Sequence, residues 1–220
     1  MSPMPGEKPG GGSPPAFNVP PATLGLALVL IAIHVLFRVF PVESIAQLVY
    51  GFAFLPERLA WALEGRLPLL PALWPLVTHM LIHLDLLHLA LNVGFLLAFG
   101  SPVERRVGAV RFLAILVLSG IVGALFMMIP LFRPLEEVGP NIGASGGIFG
   151  LMGVAFAARL GDPQFRLAGG RIVLALFALN LVIGLLSELG LNGGYRIAWM
   201  AHAGGFLTGL LIGWRLRRRP

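Results

Sequence analysis

Six apolar stretches of near-spanning length, at residues 22–40, 84–101, 109–129, 144–160, 170–189 and 198–214, leave this chain few ways to fold. A helix needs roughly 20 apolar residues to cross a bilayer, and in lipid every backbone N–H and C=O must be satisfied within the protein. Helices are therefore expected for all six. Composition agrees: 57% of the 220 residues are hydrophobic, 12% are charged, and mean hydropathy is +0.87. That is the profile of a polytopic membrane protein and not of a soluble domain.

The flanks are of another kind. Residues 1–21 are rich in Pro, Gly and Ser and contain no apolar run, so they read as a disordered tail and not as a signal peptide. Residues 215–220 form a short basic tail, which leaves 22–214 as one six-helix unit. Six spans bring both ends to one side of the membrane. Lys8, Arg105, Arg106, Arg111, Arg159, Arg166, Arg171, Arg215, Arg217, Arg218 and Arg219 fall on that side, against Arg58, Arg66, Arg133 and Arg196 on the other. By the positive-inside rule both termini are cytoplasmic, as in a multi-pass protein of a bacterial inner membrane. The net charge of +6 does not point to nucleic acid, because four of the sixteen basic residues sit in the run 215–219, where they suit anionic lipid. There is no cysteine, hence neither a disulfide nor a thiol nucleophile.

Residues 41–83 are apolar enough to suggest a seventh span, but Pro56, Pro68, Pro71 and Pro75 interrupt helix continuity. Glu43, Glu57, Arg58, Glu64 and Arg66 alternate there with Trp61, Trp74, Leu and Ala, as in short amphipathic helices at an interface. The expectation is a large, partly embedded outer loop.

This topology sorts the polar residues by depth. With the amino terminus inside, the second, fourth and sixth stretches all enter from the outer face. His88 and Asn92 then lie near the start of the second, Ser145 opens the fourth, and His202 lies near the start of the sixth. Polar groups at such depth mark functional sites by default. Gly205, Gly209 and Gly213 follow His202 along one helical face, and Gly146, Gly150 and Gly153 run beside Ser145. Two such small-residue seams allow backbones to approach closely, which would bring Ser145 Oγ to an imidazole nitrogen of His202. Taken singly, the serine and the histidine have plainer readings as packing or hydrogen-bonding residues of a bundle. His34 reads as a structural histidine. His79 and His83 read as organisers of the outer loop, since no HExxH and no acidic cluster accompanies His79, His83 and His88 to make a metal site.

Three separated motifs carry a resemblance. Gly143-Ala-Ser-Gly146 resembles the GxSG signature of the rhomboid intramembrane serine proteases. His88 with Asn92 resembles that family's second-helix pattern, and Ala201-His202-Ala-Gly-Gly205 with Gly209 resembles its catalytic-histidine helix. Trp74 is similar to the tryptophan of the family's first loop, and Glu104-Arg105 follows helix two as in a Glu-x-Arg region. Two positions depart from the usual pattern: Pro75 replaces an arginine after the loop tryptophan, and Phe149 replaces a tyrosine four residues after the serine.

The resemblance implies an all-α, six-transmembrane-helix bundle with a large interfacial first loop. It implies an intramembrane serine endopeptidase cleaving transmembrane proteins near the outer leaflet, with Ser145 as nucleophile and His202 as general base. The Ser145 N–H, Asn92 and His88 would be the oxyanion donors, supported by Gly143, Gly146 and Phe149. With no acidic residue in helices four and six, packing and Phe149 are expected to position His202. No cofactor and no metal are expected; the partners are transmembrane substrates and membrane lipid, and the sequence carries no signal of oligomeric state. A catalytically silent member that binds membrane clients is the alternative. A channel or transporter is weakened by the absence of an internal repeat or paired broken helices.

Overall fold

The computed structural model describes residues 18–39, 47, 49–132, 134–159, 169–191 and 197–217. Most of the tail expected at 1–21, Arg133, the connection at 160–168, the glycines at 193 and 194, and the end of the basic tail lie outside the described residues.

Long helices dominate. α1 spans Pro21–Arg38, and three short helices follow: α2 Pro56–Leu63, α3 Leu69–Leu73 and α4 Pro75–Thr78, the last running into a 3-10 turn at His79–Leu81. Then come α5 Leu86–Val107, α6 Ala109–Phe126, α7 Ser145–Arg159, α8 Gly169–Glu188 and α9 Trp199–Arg217. Each of the six apolar stretches corresponds to one of α1 and α5–α9. Among the described residues four of these, α1, α5, α6 and α8, are long and apolar enough to cross a membrane. α7 is described over 15 residues, up to the edge of the undescribed 160–168.

The prolines of residues 41–83 act as helix starters. Pro56 and Pro75 open α2 and α4, where the missing N–H would have had no helical partner anyway. Asp85 caps α5, its side chain accepting from the His88 N–H at 2.8 Å. Within α5 the turn Leu96–Gly100 widens to π geometry just before Pro102, which cannot donate an i→i−4 bond.

Packing centres on α7. A buried cluster of Leu30, Leu89, Leu96, Phe112, Leu151 and Val154 joins it to α1, α5 and α6. Phe54, Leu59, Ala124, Met127 and Ala201 form a second cluster beneath α2. Between α7 and α9 the glycines take over. A Cβ on Gly205 would overlap the Gly146 carbonyl, one on Gly209 the Gly150 carbonyl, and one on Gly153 the Phe206 carbonyl. The two helices therefore meet backbone to backbone. Large apolar side chains such as Leu28, Val35, Leu87, Val110, Val182 and Leu211 point outward, an inside-out surface suited to lipid.

One cap is long-range. The Glu104 carboxylate, from the far end of α5, accepts from the N–H groups of Ala22 and Thr23 at 3.0 and 2.6 Å and from the Thr23 hydroxyl at 2.7 Å. It satisfies free donors at the start of α1, which has no side-chain cap of its own.

Candidate active site

Ser145 owes its place to the extended segment before it. Phe54 and Asn141 exchange backbone hydrogen bonds in an antiparallel bridge, and the Gly143 N–H donates to the His79 carbonyl at 2.8 Å. The chain then turns through Gly143 at φ 102°, a left-handed conformation that favours glycine. A Cβ there would lie 2.6 Å from His88 Nε2, so the absence of a side chain is what lets the His88 ring close on this turn. The Ile148 N–H bonds to the Ala144 carbonyl, which puts Ser145 in the first position of α7 with its own N–H free of any helical partner.

His202 comes from the second turn of α9, held against α7 by the glycine contacts below it. Its Nε2 lies 2.7 Å from Ser145 Oγ, a hydrogen bond between residues 57 positions apart. Phe149, one turn below Ser145 on α7, lies flat on the imidazole, with ring centroids 4.4 Å apart and planes 3° from parallel. The other imidazole nitrogen, Nδ1, is 2.5 Å from Asn180 Oδ1 on α8. The sequence reading did not name Asn180 and left His202 to be positioned by packing; the structure adds a hydrogen-bonding partner. The available signal was a single amide in an otherwise apolar stretch of α8, between Ile172 and Leu186.

His88 and Asn92 stand one turn apart on α5. Asn92 Nδ2 donates to the His88 carbonyl at 2.9 Å, while its Oδ1 is buried without a partner. His88, Asn92, Ser145, Phe149, Asn180 and His202 all line one cavity of about 990 Å³ between α5 and α8, walled mostly by apolar side chains.

The outer histidines are placed differently. His79 is buried, with Nδ1 2.7 Å from the Pro75 carbonyl, and its own carbonyl holds Gly143. His83 packs edge-on against His88 at 5.1 Å, and neither of its ring nitrogens has a partner. Burial, with the neighbouring His88 second, pushes the His83 imidazole down to about 4, so it is neutral at pH 7. His34 is buried on α1. Among the described residues no three His, Cys, Asp or Glu side chains are grouped to hold a metal ion. Trp74, ahead of Pro75, donates from Nε1 to the Gly51 carbonyl at 3.1 Å and stacks on Phe52.

The comparison with known proteins decides the family. Residues 71–219, which include every residue of this cavity, match the model of the rhomboid domain. The chain belongs to the rhomboid family. This rhomboid is 31% identical over 153 residues to RHOMBOID-like protein 6, mitochondrial, of Arabidopsis thaliana, covering 67% of this chain and 45% of that one. It is 29% identical over 193 residues to rhomboid protease GlpG of Pectobacterium atrosepticum, 87% of this chain and 61% of the relative. With rhomboid protease GluP of Bacillus subtilis it shares 32% over 137 residues, 62% and 24% of the two lengths. The matches span about half or less of the Arabidopsis relatives' length. Family and apolar helices together make this a multi-pass membrane protein.

Proposed function

We propose that this rhomboid is an intramembrane serine endopeptidase in which Ser145 is the nucleophile and His202 the general base. The observation that carries the reading is the 2.7 Å contact between His202 Nε2 and Ser145 Oγ on the wall of a cavity of about 990 Å³. Relatives named as rhomboid proteases, GlpG and GluP, support it.

Ser145 Oγ–H donates to His202 Nε2, attacks a substrate carbonyl, and passes its proton to the imidazole, which returns it to the leaving amine. The charge developing on the carbonyl oxygen is met by the free Ser145 N–H at the positive end of α7, with His88 and Asn92 as side-chain donors. Water then hydrolyses the acyl-enzyme by the same route in reverse. The substrate is a transmembrane segment that unwinds locally, since a regular helix shields its own carbonyls. In this reading α1 and α5–α9 are the six passes, α7 being the shortest, with both termini cytoplasmic in a bacterial inner membrane and residues 41–83 as an outer interfacial loop, and the site lies below the outer leaflet surface.

A fluorophosphonate probe, which labels only an activated serine, tests this directly. The native chain is expected to label and Ser145→Ala is not; labelling that persists in Ser145→Ala, or none in the native chain, would overturn the assignment.

A further inference from the structure

We propose that Asn180 is the positioning residue of the general base, and that it holds His202 competent only while α8 is docked on α9. The inference rests on the Ser145–His202 reading above and extends it to a residue on another helix.

The orientation of the Asn180 amide decides where the imidazole proton sits. Asn180 Oδ1 is the amide atom that meets His202 Nδ1, and a carbonyl oxygen can only accept. Nδ1 must then carry the hydrogen, which leaves the Nε2 lone pair facing the Ser145 hydroxyl at 2.7 Å. Were the amide reversed, its nitrogen would donate to Nδ1, the hydrogen would sit on Nε2, and no base would face the serine. A neutral amide also suits the place: an ionised carboxylate in a membrane helix is costly to bury, while the amide fixes the tautomer without a charge.

Asn180 belongs to a docking face. Val173, Phe177, Asn180, Gly184 and Glu188 recur every three or four residues along α8, hence on one side. Phe177 stacks on Phe206 of α9 with centroids 4.4 Å apart. Gly184 leaves room for the Trp199 ring, which a Cβ would overlap, and Trp199 Nε1 donates to Glu188 Oε1 at 3.2 Å. Of the four helices long and apolar enough to span, α8 has the smallest buried share, so this face is its principal hold on the bundle. Any displacement of α8 from α9 would therefore break the bond that orients His202. α8 is also one wall of the cavity, so movement of that wall and readiness of the base are coupled.

The test uses the full chain in detergent with a model transmembrane substrate and a fluorophosphonate probe. Asn180→Ala is expected to lower kcat and the Ser145 labelling rate together by on the order of 10–100-fold, with KM little changed. Asn180→Asp is expected to retain activity and to move the acidic limb of the kcat/KM profile upward by about one pH unit, because a carboxylate favours the imidazolium. His88 on α5 is the titratable neighbour of His202 and is present in both proteins; on α7 the imidazole faces Ser145 and Phe149, and on α8 Glu188 is engaged with Trp199. Gly184→Val, which wedges α8 away from Trp199 without touching the dyad, is expected to slow labelling as well. Native labelling in Asn180→Ala together with an unshifted profile in Asn180→Asp would overturn the positioning role, and undiminished labelling in Gly184→Val would overturn the coupling. A native chain that neither labels nor cleaves would instead overturn the protease reading itself.

Discussion

The Phe149 ring lies parallel to the His202 imidazole with centroids 4.4 Å apart, although Phe149 stands where many rhomboids carry tyrosine. Stacking needs the ring face and not a hydroxyl, so packing here is complete without one. Phe149→Tyr should leave kcat within about twofold of native, while Phe149→Ala should lower it by on the order of tenfold through a looser imidazole. Steady-state cleavage of a model substrate checks both; an inactive Phe149→Tyr or a fully active Phe149→Ala would remove the stacking role.

His88 and Asn92 are expected to act in degrees. Asn92→Ala and His88→Ala should each reduce kcat by on the order of 100-fold without abolishing it, because the Ser145 N–H at the start of α7 remains. Labelling of Ser145 would persist at a lower rate. Turnover equal to native in both variants would exclude these side chains as oxyanion donors.

The α7–α9 seam sets a sharp steric limit. At Gly209 even a methyl group would overlap the Gly150 carbonyl, so Gly209→Ala forces the two helices apart. Overpacking of this kind costs about 1–3 kcal/mol, and Gly209→Leu should prevent assembly. Thermal unfolding in detergent reads the first and yield of folded protein the second; an unchanged Tm for Gly209→Ala would mean that the helices do not approach this closely.

Glu104 offers a contrast, lying outside the cavity lining and capping the start of α1. Glu104→Ala leaves the Ala22 and Thr23 donors unpaired and should lower stability by about 2 kcal/mol or more. Catalysis per folded molecule should be unchanged. A variant as stable as native would show that water replaces the carboxylate at no cost.

What the sequence made legible follows from locality. The apolar stretches, the Gly143–Gly146 turn and the i+4 relation of Phe149 to Ser145 are written within one helix or one loop, so they can be read without knowing how the helices pack. The glycine rows could be paired because both seams run at helical spacing beside a polar residue. Asn180 escaped because its role depends on the rotation of α8 about its axis, which a uniformly apolar pattern does not fix. The capping of α1 by Glu104, 81 residues away from Thr23, and the π turn at Leu96–Gly100 are likewise products of tertiary packing. The prolines of 41–83 are legible as breaks in helix continuity, yet the positions of Pro56 and Pro75 at helix starts became visible only in the fold.

The central claim is that Ser145 and His202 perform proteolysis within the membrane, and cleavage of a model transmembrane substrate in reconstituted bilayers measures it most directly. The native chain should cut the substrate at one bond in the outer part of its span, located by mass spectrometry, and Ser145→Ala and His202→Ala should each leave the substrate intact while remaining folded. Substantial cleavage at the same bond by either variant would contradict the account.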